Sequence, residues 1–413
     1  MVFSRVFRAA MAMASLLAQG EPVEATPESR AGALFLLISP SVRVNGMGRA
    51  GVALLDEPAG YYNPGAAALS SPEHTLQSRF YLSEMPWLPM LFDDISYSYF
   101  AAQIAAERVL DGLSWRSPTR LRAAFYGYHT KLDLGEQIRT DERGDVIGTS
   151  TSAEASNNIG VSLALRSVVD IGVGATTKWI SSDLGQGVGL ERGRAKGSAQ
   201  AYDFGLMAVV PMVGILERLT GRELTLYQHL RPQLDVGFGV TWQNRGGETI
   251  SYIDLIQADP LPANRRHGWS GRLGMDWNSD SFNLAIGRVT FSKETYRPQV
   301  DGAHVTSLAE DDKSGFEVSI LETVSIRRGT YDDFDGGVHL KTSGWTVKSD
   351  GLFKFFAHQL GNNPSNSGGS ALQFLAKHLS ISWSRFDYDE RGSSPFRDIG
   401  HSFIGHSFIG LSF

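Results

Sequence analysis

The stretch Ile159–Trp179, IGVSLALRSVVDIGVGATTKW, decides the fold. Ile159, Val161, Leu163 and Leu165 alternate with Gly160, Ser162, Ala164 and Arg166. After a short connection at Ser167–Val169, Ile171, Val173, Ala175, Thr177 and Trp179 alternate with Asp170, Gly172, Gly174, Thr176 and Lys178. A period of two puts successive side chains on opposite faces of a strand, so this is a hairpin with one apolar face and one small, polar or charged face. The same alternation runs through Leu234–Gln243, Leu273–Trp277, Phe282–Ile286 and Leu379–Ser384.

A soluble sandwich would alternate in the same way, because one face of each sheet meets water. Three features favour a transmembrane barrel instead. The strands are long, with charges on one face and aromatics near their ends. Tight connections such as Ser167–Val169 and Asn278–Asp280 contrast with long polar insertions such as Asp133–Asn158, as short periplasmic turns contrast with long external loops. The chain closes on Phe413, with Leu411 and Ile409 two and four residues earlier, a pattern similar to the signal that outer-membrane assembly machinery reads. His401–Gly405 is repeated as His406–Gly410. An odd-length duplication inverts side-chain facing within one regular strand, so the first copy is expected to be turn or strand entry and the second the terminal strand.

Bulk composition excludes more than it assigns. The chain has 413 residues, no cysteine, 45 glycines and a net charge of −6. A thiol nucleophile or cysteine metal site is excluded, and a nucleic-acid partner has no electrostatic support. No stretch reaches the ~18 apolar residues of a membrane-spanning helix, but a barrel strand crosses in ~9–11 residues and averages out in hydropathy. At the start, Arg5 and Arg8 precede the apolar run Ala9–Ala18, and Val23-Glu24-Ala25 offers a small-residue cleavage site. This reads as an export signal cut after Ala25, with Gly20 as second choice.

After the signal come Phe35–Pro40, then Gly46-Met47-Gly48-Arg49-Ala50-Gly51, then Tyr61-Tyr62-Asn63-Pro64-Gly65. This run resembles the N-terminal hatch of the FadL superfamily of outer-membrane barrels. More narrowly it resembles the PorV family of the type IX secretion system, with one departure at Gly65, where the superfamily usually has alanine. Pro86–Leu88 with Asp93, Asp94 and Tyr97, Gly144–Asn158, Lys178–Ser182, Ala199–Gly205 and Gly315–Gly329 extend the likeness over most of the mature chain. The resemblance implies an all-β antiparallel barrel of about 14 strands, divided as signal peptide 1–25, luminal hatch 26–75 and barrel 76–413. The residues agree: Gly46, Gly48 and Gly51 permit close bends, Pro64 stiffens the turn, and Asn63 can satisfy backbone groups in an irregular plug.

The implied function is non-enzymatic, without cofactor or metal: binding the C-terminal signal domains of exported cargo and passing them from a secretion translocon to the surface-attachment complex. Outer-membrane lipid and the barrel assembly machinery are the further expected partners, and the outer membrane of a Gram-negative bacterium the expected location. Asp133–Asn158 and Pro298–Ser314 are the candidate cargo loops. The alternatives are a FadL-like channel for hydrophobic small molecules and a soluble exported adhesin.

Other motifs have poor context. Gly46-x-Gly48-x-x-Gly51 matches a dinucleotide fingerprint, but Pro58 and Pro64 interrupt the helix it needs. Tyr331–Gly336 clusters carboxylates without a calcium-loop pattern and reads as a solvated loop. His401 and His406 read as exposed or interfacial. Val210–Tyr227 is expected to hold a small helix between strands.

Overall fold

The computed structural model describes residues 31–57, 60–70, 76–86, 94–110, 119–141, 143–186, 194–227, 229–246, 249–253, 257–279, 282–299, 310–333, 338–361, 379–390, 401–403 and 408–411. The export signal, Phe413, Pro58, His406 and Phe334–Gly336 lie outside these.

The chain is a long antiparallel meander. Its first strands are β1 (Leu76–Pro86), β2 (Ser96–Leu110), β3 (Thr119–Thr140), β4 (Val146–Arg166), β5 (Asp170–Gln186), β6 (Arg194–Pro211) and β7 (Leu230–Arg245). A separate hairpin, β8 (Thr249–Ile253) with β9 (Gln257–Pro260), interrupts the run. The meander resumes with β10 (Asn264–Ser279), β11 (Phe282–Pro298), β12 (Asp311–Ile320), β13 (Val324–Asp333), β14 (Val338–Lys348) and β15 (Leu379–Glu390), and ends in β16 (His401–Phe403) and β17 (Phe408–Leu411). All but β8 and β9 form one 15-stranded sheet. The short β16 and β17 both pair with β15, opposite Phe386–Tyr388 and Leu379–Ser382 respectively, so they share one place at the sheet's edge. β17 also comes within 8 Å of β1, Cα to Cα.

The alternation read from Ile159–Trp179 is realised in β4 and β5. Ile159, Val161, Leu163 and Leu165 point outward and are 44–55% exposed, while Ser162 and Ala164 between them are buried. The turn is closed by Asp170, whose carboxylate accepts the Ser167 N–H at 3.1 Å and pairs with Arg166. Outward Phe100, Ile104, Phe125, Phe204, Phe238, Leu273, Ile326 and Trp383 continue the apolar band around the sheet. The opposite face buries Lys178, Asp203, Glu294, Glu317 and Arg327. A soluble sandwich would bury the apolar face against a second sheet; here that face is bare and the charged face is covered.

What covers it is the N-terminal segment. It contains a 3₁₀ turn (Leu34–Leu37), the short helix α1 (Val42–Gly46) and a second 3₁₀ turn (Pro64–Ala66). Gly32 donates to Pro260 O at 2.9 Å beside the β8–β9 hairpin. At the other end of the segment, the Ala68 N–H reaches Ser162 Oγ. Between them α1 lies against β13, β14 and β15, and the second 3₁₀ turn against β4, β5 and β6. One segment of 40 residues meets strands from both halves of the sheet because the sheet curls around it.

The two ends of the sheet differ. One, the near end, carries the start of β1 and the tight turns β4–β5, β10–β11 and β12–β13. The far end carries the β8–β9 hairpin and the β3–β4 connection. Among the described residues, two helices interrupt the near end: α2 (Met212–Thr220), within the span expected to be helical, and α3 (Asp350–Gly361).

Two expectations are corrected. Asp133–Asn158 is not a loop: β3 and β4 stay paired to Thr140 and Val146, through irregularities at Asp133/Glu136 and Arg139/Thr140. Asp141 Oδ1 closes the tip by accepting the N–H groups of Arg143 and Asp145. Hydropathy hid this extension because Ile138, Val146 and Ile147 are scattered among polar residues without a sustained alternation, yet a backbone ladder needs no apolar face. Tyr331–Asp333 likewise belongs to β13 rather than to a loop, with Asp332 paired to His339 at 2.9 Å. The described part of the first HSFIG copy, His401–Phe403, pairs as strand, the second of the two alternatives expected for it. Phe403 stands opposite Phe386 and Phe408 opposite Ser382, so the five-residue repeat spans four residues of β15 and a one-residue slip absorbs its odd length. Ile409 and Leu411 stand opposite Ile381 and Leu379, and His401 lies in β16. Of Pro298–Ser314, the ends lie in β11 and β12, and residues 300–309 lie outside the described chain.

Candidate functional site

The site is the seam between the N-terminal segment and the covered face of the sheet. It begins with backbone touching backbone. Gly48 has φ +65°, and a Cβ there would stand 2.3 Å from both Ser314 O and Thr330 O. Gly315 and Gly329, opposite each other on β12 and β13, leave the space into which Met47 and Gly48 fit. Gly205 accommodates Asn63 and Pro64 in the same way, and Gly239 accommodates Val52. Glycines at inward positions of successive strands thus make a shallow trough for the segment's main chain. The sequence carries this as glycine on the polar phase of the alternation, a signal legible as small inward residues but not as a trough.

The segment's own motif residues are spread along that trough. Gly46 ends α1 against Arg327 and Gly344. Gly51 packs under the Tyr62 ring, which a Cβ would approach to 2.7 Å. Of the three motif glycines only Gly48 has a positive φ, so Gly46 and Gly51 matter for proximity rather than for chain direction. Asn63 caps the second 3₁₀ turn: its Oδ1 accepts Gly65 N–H at 2.9 Å, and Pro64 supplies the fixed φ of the first turn position. Its Nδ2 donates to Val52 O at 3.0 Å and to Leu206 O on β6 at 2.9 Å. One buried side chain therefore ties two parts of the segment to each other and to the sheet.

Ionic contacts lock the register. Glu294 is fully buried, and its Oε2 accepts the N–H groups of both Gly51 and Val52 at 2.8 Å. Arg266 and Lys313 stand 3.8 Å from its other oxygen. Arg43 bridges Glu317 on β12 at 2.9 Å and Glu57 at 3.0 Å, and Arg327 also binds Glu317. Burial pushes the Glu57 carboxyl up, against the pull of Arg43. Lys178 pairs with Asp203 at 2.7 Å and donates to Asn244 Oδ1 at 2.8 Å. Buried ions of this kind are tolerated because each has a counter-charge, supplemented by a hydrogen bond or, for Lys313, by the Tyr296 ring 4.0 Å from its ammonium.

An aromatic cluster fills the rest. The Tyr61 ring lies 5.0–5.9 Å, centroid to centroid, from Tyr62, Tyr99 and Tyr128. Burial pushes the Tyr61 hydroxyl up to about 12, so it stays protonated and donates to Leu36 O and Ile38 O. A cavity of about 10 Å³ remains beside the segment, lined by Leu54, Leu55, Val209, Asp235 and Arg272 among others, with room for about one water. Among the described residues no group of three or more His, Cys, Asp or Glu could hold a metal ion.

Sequence reading located the motif residues Gly46, Gly48, Gly51, Asn63 and Pro64, and the structure brings them together with the sheet. It missed the roles of Glu294 and Glu317, whose partners in the N-terminal segment lie 242 to 274 residues away, and of Arg327, which binds Glu317 ten residues away on the neighbouring strand. Replacing Asn63 by alanine is expected to strand Gly65 N–H and two carbonyls, at a cost of about 2–4 kcal/mol. Urea titration of residue-resolved hydrogen exchange over 60–70 would measure it. A loss below about 0.5 kcal/mol, the scale of an uninvolved surface change, would show that the amide is not a tie.

No protein-family model and no curated protein sequence matches the chain. Among solved structures, it is similar to the toluene transporter TbuX of Ralstonia pickettii, at 11% identity over 91% of this chain and 97% of that one, with a TM-score of 0.39. The Pseudomonas putida toluene transporter TodX gives 11% identity, coverage of 89% and 96%, and a TM-score of 0.37. The β domain of the Bordetella autotransporter BrkA gives 10%, 82% and 99%, and 0.34. Superposition at this level does not bear on what the chain binds or moves.

Proposed function

We propose that the chain is an integral outer-membrane β-barrel of a Gram-negative bacterium, closed between β17 and β1 and stoppered along its lumen by residues 26–75. The observation that carries this is the inversion of its surface: a continuous apolar band faces outward while lysine, aspartate, glutamate and arginine are enclosed. Water would favour the reverse arrangement, whereas lipid requires this one. Substituting Val161, in the middle of the band, by arginine is expected to cost about 2–4 kcal/mol in folding into vesicles. On a water-facing strand the same change would fall within about 0.5 kcal/mol, and that result would sink the membrane reading.

Within that class we infer a non-enzymatic, non-conducting role: a type IX secretion component that engages the C-terminal signal domains of exported proteins. The stoppered lumen supports a protein that works through its surfaces, and the paired β3–β4 extension provides one beyond the body of the sheet. The likeness of the Gly46–Gly51 and Tyr61–Gly65 motifs to PorV supplies the specific partner. Affinity purification from the native outer membrane, followed by mass spectrometry, tests it. Recovery of a large barrel translocon or of proteins sharing a C-terminal domain is the expected result; a barrel carrying only lipid or fatty acid would overturn it.

The second reading is a FadL-like channel for hydrophobic small molecules. The apolar lining that Leu54, Leu55 and Val209 give the cavity beside the segment favours it. With space for one water, transport would require the segment to move, so solute uptake into vesicles that rises when residues 26–75 are loosened is its signature.

A further inference from the structure

The two near-end helices are amphipathic in the wrong sense for water. In α2 the charged residues face the protein: Arg218 donates to Ser167 O in the β4–β5 turn at 2.7 Å, and Glu217 pairs with Arg231 on β7 and accepts the Leu224 N–H. Met212, Leu216 and Leu219, spaced i, i+4 and i+7 on the other side, point away from it, and Leu219 is 76% exposed. In α3 the pattern repeats. Lys354 binds Glu322 of the β12–β13 turn at 2.7 Å, Ala357 is buried, and Gly351 sits so close that a Cβ would overlap Leu321 O. Leu352, Phe355 and Phe356 are turned out and about half exposed.

Water would turn these helices over, leaving the ions outside and the leucines and phenylalanines in. Exposed apolar side chains of the outward band also stand close in the chain to the groups that anchor the helices. Exposed Leu165 and Leu234 lie two and three residues from Ser167 and Arg231, which hold α2, and exposed Ile320 and Val324 lie two residues to either side of Glu322, which holds α3. The helices arise in the β6–β7 and β14–β15 connections, six strand places apart in the sheet order, so they stand on well-separated sides of its circumference.

Resting on the barrel reading above, we propose that α2 and α3 lie in the membrane interface at the near end, with their exposed faces seated among phospholipid acyl chains of the inner leaflet. The near end holds the tight turns and the start of β1, which places it on the periplasmic side. A helix in the interface buries its apolar face ~5–10 Å into the headgroup and acyl boundary. Two such helices on separate sides fix the depth and tilt of the barrel against the inner leaflet.

The chain has no cysteine, so each introduced thiol is a unique label site. The test uses the full chain in phosphatidylcholine vesicles, with an environment-sensitive fluorophore at Leu219→Cys, Phe355→Cys, Val161→Cys or Ile138→Cys in turn. Lipids spin-labelled near the headgroup or deep in the chain act as quenchers. Expected is a loss of roughly half the fluorescence at 219 and 355 with the shallow quencher, as for a side chain at the acyl boundary. Val161→Cys should be quenched by the deep label and Ile138→Cys, on the β3–β4 extension, by neither. If 161 is quenched but 219 and 355 stay bright, the barrel reading stands and the helix proposal is overturned. If 161 is not quenched, the barrel reading falls and takes the proposal with it. Shielding of 219 and 355 only after addition of a solubilised outer-membrane extract would assign the faces to a protein partner, which also overturns it.

Discussion

Replacing Gly48 by valine is expected to pull the N-terminal segment away from β12 and β13 while leaving the strands paired. Two costs combine. A β-branched residue at φ +65° is strained by about 1–2 kcal/mol. The larger cost is overlap: the new Cβ would lie 2.3 Å from Ser314 O and Thr330 O and 2.7 Å from Thr330 N. These are backbone atoms of paired strands, so the neighbours cannot rotate aside as side chains would. The sum is on the order of 4 kcal/mol or more, in the range that marks a specific steric mechanism. Hydrogen exchange measures it directly. Amides of residues 44–54 should lose protection, whereas those of β12 and β13 keep theirs. Unchanged protection at 44–54 would mean that the trough yields and that glycine there is incidental.

Replacing Glu294 by alanine is the second large effect. It removes the carboxylate that the Gly51 and Val52 N–H groups share, and leaves Arg266 and Lys313 facing a buried gap. Breaking one partner out of a buried ionic cluster costs about 3–5 kcal/mol, most of it the penalty of the uncompensated charges. Glu294→Gln should cost less, because an amide oxygen still accepts the two backbone donors. A double variant, Glu294→Met with Lys313→Met, should recover part of the loss, since one orphaned cation goes with it. Denaturant midpoints for Glu294→Met, Lys313→Met and the double close the cycle. If Glu294→Ala and Glu294→Gln are equal and small, the segment is held by packing alone.

The two positions were unequally visible in the sequence. Gly48 stands in a motif, Gly46-Met47-Gly48-Arg49-Ala50-Gly51, whose likeness to a luminal hatch could be read before any coordinates. Its neighbours Gly315 and Gly329 bound a stretch that shares the likeness, but nothing in that stretch says that the two glycines stand opposite each other beneath Gly48. Glu294 had no signature at all, because Ser292, Glu294 and Tyr296 read as the ordinary polar phase of a strand. Its importance comes from 243 residues of separation closed by the sheet's curl.

The alternation at Ile159–Trp179 determined strand, hairpin and the division into apolar and polar faces, because a pleated backbone fixes the period at two whatever surrounds it. Length, the absence of cysteine and the motif residues bounded the rest of the class. Tertiary structure alone decided three things. It decided that Asp133–Asn158 continues two strands, since main-chain pairing is indifferent to polarity. It decided that His401–Phe403 and Phe408–Gly410, from the two HSFIG copies, both pair with β15, in registers that differ by one residue. And it decided which ions meet across the covered face, because long-range partners are chosen by the curvature of the whole sheet and leave no trace in local spacing.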